Sequence, residues 1–376
     1  MRICLYTATA LPKLGGQEAV VDSLARHFTT LGHPVVVLAP HPRGSLRTND
    51  ASLPYVVERH PRFYSTRNFV SSYRYFLTRA HARHRFDLVH CHDVYPTGYL
   101  AGLCKSRLGV PIAITSHGGD VRENNPRLSK RGIPERCLLA LESADALIAI
   151  GPFTEQGFRR MYPQAPKIVT IPNGIDLGPY IEPAARPPGL DPAIREGQYA
   201  LFLGRLALRK GVDLLLQAMT EVKARDCVQL VIAGAGDEAA DLQALANRLR
   251  LQERIRFVGR VDGTAKIHLL QNALFTVMPS RVWEAFPLVL LETYAAGRPV
   301  IGTAVPGIAD LVQQDITGHL VPEDNPGALA TAMENLFDDP SKADAMGREA
   351  RKVAQDYSWE SVARRHIALY EQLCAG

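Results

Sequence analysis

Short apolar runs alternate with amphipathic, helix-length segments along the whole chain, and nothing else constrains its fold so tightly. In the first half the strand-like runs are 2–7, 35–39, 88–90, 112–115, 146–150 and 168–171. In the second half they are 200–203, 229–233, 255–258, 274–278 and 300–302. Runs that are apolar on both faces, each followed by a helix, belong to parallel sheets covered by helices on both sides. At 376 residues the chain exceeds one ordinary core, so two doubly wound, Rossmann-like α/β domains are expected. The Pro/Gly-rich span 172–197 is the linker candidate. It separates a domain at 1–177 from one at 178–358, with a last helix in 359–376 that no strand follows.

Hydrophobic content of 46% with 22% charged residues is that of a folded protein. No run of 18 apolar residues occurs, so no membrane-spanning helix is expected. Met1-Arg2 leads straight into the first strand, so no signal peptide is expected. Six cysteines (4, 91, 104, 137, 227, 374) without a Cys-x-x-Cys pair read as reduced thiols of a cytoplasmic protein. Charge is uneven: +9 over residues 1–177 and −4 over 178–376, which add to the net +5. The basic half therefore expects an anionic partner or a membrane surface. Within it, 59–86 gathers arginines (59, 62, 67, 74, 79, 83, 85) and aromatics (Phe63, Tyr64, Phe69, Tyr73, Tyr75, Phe76). That segment reads either as peripheral contact with the inner face of an anionic membrane or as an ordinary helix with snorkelling arginines. No nucleic-acid-binding module is present.

The chemistry-bearing residues cluster just past the C-terminal ends of the predicted strands, where ligands of open α/β sheets bind. Two such rims facing each other would make a cleft. Glu284 and Glu292 flank a helix start behind the 274–278 strand. Pro287 suits the first helical position and Gly297 the helix end. The amides of Phe286, Leu288 and Val289 are then free to meet a phosphate, and a carboxylate deeper in the helix suits a ribose diol. Arg205 and Lys210 span the turn after 200–203 and read as a diphosphate clamp or as an ordinary basic loop. Gly234-Ala235-Gly236 lacks the third glycine of a dinucleotide fingerprint and reads as a place where backbone approaches a nucleotide. Gly15 and Gly16 allow positive φ and close ligand approach, or form a flexible turn. His90 and His92 fall on one strand face and Cys91 on the other, with no further ligand cluster, so no metal is expected.

Taken together, the segments Gly15-Gly-Gln-Glu18, His117-Gly-Gly-Asp120, Ile171-Pro-Asn-Gly-Ile-Asp176, Gly204-Arg205 with Lys210-Gly211, Ala233-Gly-Ala-Gly-Asp237, Phe257-Val-Gly-Arg260 and the Glu284/Glu292 pair resemble the retaining GT-B glycosyltransferases of family GT4. The resemblance covers almost the whole chain. It implies an acceptor domain followed by a donor domain, with the last helix packing back onto the first domain. It implies a nucleotide-sugar donor, a hydroxyl acceptor and no cofactor or metal. Arg205 and Lys210 would hold the donor diphosphate, Glu292 the ribose, Glu284 the transferred sugar, and the amides at Phe286 to Val289 sugar and phosphate. His117 would face the sugar, Gly16 would close on the phosphates, and Arg260 and Val261 would lie near the base. Ala285 stands where many members have glycine, and would be strained if that position needs positive φ. With no carboxylate nucleophile evident, same-face attack is expected, as is domain closure on donor binding.

A dehydrogenase would need a complete glycine fingerprint after the first strand, which Gly15-Gly16-Gln17-Glu18 does not supply. A non-catalytic nucleotide-sugar sensor and a sugar-nucleotide epimerase remain as alternatives. Donor base (UDP or GDP favoured), sugar and acceptor stay open, the acceptor among lipid-linked glycan, polysaccharide and small metabolite.

Overall fold

The computed structural model describes residues 1–376 except 14, 43–47, 63–65, 124, 127, 166, 224 and 226–228, and the side chains of 66–68. Cys227, Phe63, Tyr64 and the Arg67 side chain lie outside the described residues. The chain divides into two compact units, Met1–Gly174 with Trp359–Gly376, and Ile175–Ser358. The chain thus passes between units at 174/175, ahead of the expected 177/178. The proline-rich span after it is no free linker: Ile175, Tyr180 and Ile194 are buried in the second unit's core. Apolar anchors spaced among the prolines bind it there, and Gln271 Oε1 accepts the Ala184 N–H at 2.7 Å.

The first unit holds seven strands: β1 (Ile3–Tyr6), β2 (Val35–Pro40), β3 (Val56–His60), β4 (Leu88–Cys91), β5 (Ile112–Ser116), β6 (Ala146–Ala149) and β7 (Ile168–Thr170). All pair in parallel, in the order β3-β2-β1-β4-β5-β6-β7. Its helices are α1 (Gly16–Thr30), α2 (Thr66–His84), α3 (Tyr99–Gly102), α4 (Lys105–Leu108), α5 (Ile133–Ser143) and α6 (Pro152–Met161). β1, β2 and β4 are buried along their length, as apolar runs covered on both faces must be. The edge strand β3 escaped the sequence reading because it carries Glu58 and Arg59 and leaves Val56 half exposed.

Much of the basic-aromatic segment has a structural use. Tyr73, Leu77 and Ala80 of α2 and the following Phe86 enter the core. Arg59 pairs with Asp50 at 2.7 Å and is nearly buried, and Arg83 pairs with Glu58 at 2.9 Å. Tyr75 and Arg79 remain outside, bonded to each other at 2.7 Å.

The second unit holds β8 (Ala200–Leu203), β9 (Leu230–Ala233), β10 (Ile255–Gly259), β11 (Phe275–Met278), β12 (Val300–Thr303) and β13 (Gly318–Val321), parallel in the order β10-β9-β8-β11-β12-β13. Around it lie α7 (Val212–Glu221), α8 (Ala239–Arg248), α9 (Gly263–Asn272), α10 (Leu288–Ala295), α11 (Pro326–Asp338) and α12 (Pro340–Asp356). The last helix, α13 (Trp359–Ala375), belongs to the first unit. It docks on α1, with Phe28 edge-on to Tyr370 at 5.7 Å and to His366 at 6.0 Å. A Cβ on Gly174 would come within 2.6 Å of the Trp359 indole, so the glycine of the 171–176 motif lets the backbone lie against that ring.

In each sheet the strand order reverses once, between β1 and β4 and between β8 and β11. The crevice outside the carboxyl ends at such a reversal is where open α/β sheets bind ligands.

Candidate active site

In the second unit the reversal point is built by the loops leaving β8 and β11. The chain after β8 makes one 3-10 turn, Leu208–Lys210, and closes at Gly211 with φ 66°. A Cβ at Gly211 would overlap the Pro279 carbonyl oxygen, so only glycine lets this turn lie on the β11 exit. The turn delivers Lys210 Nζ to Glu284 Oε1 at 2.6 Å, and Ser280 Oγ donates to the same oxygen at 2.9 Å. Arg209 stands 3.5 Å from it. The Glu284 main chain is held from the other side. Its N–H donates to Pro306 O at 2.9 Å, and Gly307 (φ 91°) sits where any Cβ would overlap the Glu284 carbonyl oxygen. Three partners load Oε1, whereas Oε2 has none among the described residues.

Glu292 repeats the pattern. It is the fifth residue of α10, and Lys266 Nζ of α9 reaches its Oε1 at 2.5 Å, again leaving Oε2 without a described partner. Pro287 is the cap residue (φ −81°, ψ 92°) and not the first helical residue. Its extended ψ turns the chain into the helix, and the first-turn amides of Leu288 and Val289 have no acceptor within the helix. Ala285 is not among the residues with positive φ, so the expected strain is absent; Gly297, at φ 73°, does terminate the helix. Phe286 packs against the core with its ring 6.2 Å from Tyr357.

Three expected positions have a local setting that the sequence did not show. Arg205 is not brought to Lys210 and Glu284: it is 65% exposed and pairs with Asp237 at 2.9 Å, while Arg209, which the sequence reading passed over, takes that place. An exposed pair of this kind contributes little to stability and is easily exchanged for a ligand. Gly234 and Gly236 have no room for a side chain within the protein itself, since a Cβ on either would overlap the carbonyl oxygen of Gly204 or Leu206. The β8 and β9 exit loops are stitched together there, with Leu206 N–H on Ala235 O at 3.0 Å. Gly15 is extended (φ −174°) and Gly16 has no positive φ. Gly15 leaves room for the Glu18 carboxylate, and Gly16 has nothing within 4 Å of a would-be Cβ. Arg260 is exposed beyond the edge strand β10, and Val261 packs on the core.

In the first unit the reversal point opens into a cavity of about 550 Å³ lined by residues including Lys13, Gln17, His92, Asp93, His117, Asp120 and Arg122. Gln17 Nε2 donates to His92 O at 2.7 Å and so ties the start of α1 to the end of β4. Glu18 is buried and paired with Lys13 at 2.7 Å. Burial would raise its carboxyl, but hydrogen bonds from Lys13 and Thr9 outweigh that and hold it below the usual value. Ser116 Oγ donates to Asp120 Oδ1 at 2.5 Å, and Asp120 Oδ2 accepts the Val94 N–H at 2.6 Å. Burial pushes Asp93 up to about 6 and raises Asp120 as well. Gly118 takes φ 91°, turning the chain so that His117 Nε2 lies 3.2 Å from His92 Nδ1. Burial lowers His117 to about 4 and His92 and His90 well below the ordinary histidine value.

No cluster of three or more His, Cys, Asp or Glu suited to a metal occurs among the described residues. No described helix is long and apolar enough to cross a membrane.

The family profile described as "Glycosyl transferases group 1" matches residues 192–353, and that of "Glycosyltransferase Family 4" matches residues 14–178. A D-inositol 3-phosphate glycosyltransferase of Segniliparus rotundus is 32% identical, over 79% of this chain and 68% of that protein. D-inositol 3-phosphate glycosyltransferase 2 of Catenulispora acidiphila is 29% identical over 96% of this chain and 94% of its own length. Among solved structures, Anabaena HepE in complex with UDP superposes with a TM-score of 0.82 at 18% identity, covering 99% of this chain and 100% of that one. Two parallel α/β units, the loops at their reversal points and these matches agree: the chain belongs to glycosyltransferase family 4 and has the GT-B fold.

Proposed function

We propose that the enzyme moves a hexosyl group from a nucleoside-diphosphate sugar, with UDP or GDP as carrier, to a hydroxyl acceptor in glycan or glycolipid biosynthesis. In this proposal the anomeric configuration is retained and no metal takes part. The observation that carries the reading is the Lys210–Ser280–Glu284 cluster at the β8/β11 reversal point, with one Glu284 oxygen left free. Lys210, Arg209 and Arg205 and the amides at the start of α10 supply the positive field that a departing diphosphate requires. In this reading Glu292 Oε2 would accept from a ribose hydroxyl and Glu284 Oε2 from the sugar, and Arg260 and Val261 would lie near the base. UDP in the Anabaena structure supports UDP as the first carrier to test.

His117 would meet the transferred sugar, and the polar cavity beside it suits a hydroxylated acceptor. The names of the two inositol 3-phosphate relatives make a cyclitol phosphate the first acceptor to try, with Lys13 and Arg122 as counter-charges. The acceptor oxygen would form its bond to the anomeric carbon on the face from which the phosphate oxygen leaves, and its proton would pass to that phosphate oxygen. The exposed Tyr75–Arg79 face of α2 is compatible with work at the cytoplasmic face of a membrane.

A thermal-shift panel of UDP, GDP, ADP and their sugar conjugates tests the donor site. A ligand at a hundred times its Kd adds about 2.7 kcal/mol. One base should stabilise the wild type and neither Lys210→Ala nor Arg205→Ala. No shift from any nucleotide would overturn the reading. Transfer to inositol phosphate, followed in EDTA by NMR of the product's anomeric coupling, tests acceptor, metal independence and retention.

A further inference from the structure

Behind His117 two more imidazoles stand in file, and the mechanism above uses only the front one. The His92 and His117 rings are nearly parallel (5.4 Å between centroids, 16°), and His90 lies 4.2 Å behind His92. His90 is satisfied at both nitrogens, Nδ1 facing the Tyr370 hydroxyl and Nε2 the Thr115 hydroxyl, each at 2.7 Å. His92 is not: its Nδ1 faces His117, while its Nε2 is buried without a partner among the described residues. The main chain of His92 is pinned on both sides, N–H to Tyr6 O at 2.9 Å and C=O from Gln17 at 2.7 Å. The backbone that carries the ring is thus fixed at the end of β4.

Burial keeps both imidazoles neutral at pH 7, so the bond between them contains a single N–H and two arrangements exist. If His117 Nε2–H donated, the proton of His92 would sit on its buried Nε2 as an orphan donor. If His92 Nδ1–H donates, that Nε2 carries only a lone pair. Orphaned buried N–H groups are rarer than under-satisfied acceptors, which selects the second arrangement. It leaves the proton of His117 on Nδ1, a nitrogen with no partner among the described residues, on a ring that lines the cavity.

We infer that His92 is a positioning residue that locks His117 in the Nδ1–H tautomer, so that His117 offers the ligand a hydrogen-bond donor and no basic nitrogen. The inference rests on the reading of His117 as the sugar-facing group. It makes His117 an orienter of a sugar hydroxyl and leaves the acceptor's proton to the departing phosphate.

Long-range 1H–15N correlation spectra of [15N]histidine-labelled protein at pH 7 test it, with the signal of His117 assigned by its loss in His117→Gln. The wild type should show His117 protonated at Nδ1. His92→Leu should move that proton to Nε2 or average the two forms. His92→Asn should keep it, because the carboxamide nitrogen can donate from the place of Nδ1. In turnover, His92→Leu should lower kcat about ten- to a hundredfold through misorientation, with donor KM little changed, and His92→Asn should recover most of it. An Nε2–H wild-type His117, or a tautomer indifferent to His92→Leu, overturns the inference, and the wild-type spectrum decides even if both variants misfold. A fully active His117→Ala would instead overturn the sugar-facing reading, whatever the tautomer.

Discussion

Lys210→Met separates the structural role of one side chain, its ion pair with Glu284, from the leaving-group role proposed for it. Lys210 and Glu284 are 17% and 10% exposed and 2.6 Å apart, so removing the ammonium leaves a largely buried carboxylate short of its main partner. Breaking a fully buried pair costs about 3–5 kcal/mol. Here Ser280 still donates to the same oxygen and Arg209 stands 3.5 Å away, so the loss should be about 2 kcal/mol, the scale of one charged hydrogen bond. In a unit of this size each kcal/mol moves Tm by about 2–4 °C, giving a drop of about 4–8 °C by calorimetry. Adding Glu284→Gln removes the stranded charge and should restore at least half of that drop. Turnover should behave differently. Lys210→Met should lower kcat about a hundredfold or more by withdrawing a cation from the leaving group, and the double variant should recover none of it. A double variant no more stable than the single one would refute the charge argument. Activity returning together with stability would refute the leaving-group role.

Other tests reach other parts of the molecule. Gly211→Ala forces positive φ and an overlap with Pro279 O; it should destabilise by at least about 2 kcal/mol in urea titration and abolish nucleotide binding. Tyr370→Phe strands a buried His90 nitrogen and should cost about 1–3 kcal/mol, seen as faster hydrogen exchange in α13. Acid should destabilise the first unit. Burial depresses His60, His117 and His366 to about 4 and holds His90 and His92 well below the ordinary histidine value. The unfolded chain therefore binds more protons below the ordinary histidine value, and stability falls as pH drops from about 6.5 toward 4. Asp93, raised to about 6, and Asp120, also raised, work in the opposite sense, but five histidines outnumber them. A urea midpoint flat between pH 7 and 5 would contradict this. Lys266→Ala frees Glu292; nucleotide affinity by calorimetry should change if Glu292 meets the ribose and should stay constant if it does not.

The architecture was legible in the sequence because interior parallel strands must be apolar on both faces. Ten of the eleven predicted runs needed only boundary shifts of a residue or two, and 200–203 needed none. β3 was missed because it is half solvated and carries Glu58 and Arg59, and β13 because Gly318 and His319 leave too short an apolar run. Glu284, Lys210 and His117 stood out because they follow strand ends, and Glu292 because it pairs with Glu284 about a helix start. Lys266 did not, since it lies within a helix pattern and reaches Glu292 only through the fold.

By itself the sequence determined the class of the fold, the edge of each sheet that carries the candidate site, and the residue types gathered there. Periodicity and strand-end position are local properties, readable one segment at a time. The tertiary structure decided the pairings: Arg209 and not Arg205 beside Glu284, glycines at 234 and 236 yielding to the protein's own backbone, and His92 against His117. Those partners are far apart in the chain and meet only where parallel strands lie side by side. Which atoms are satisfied, and which are left for a ligand, follows from that meeting.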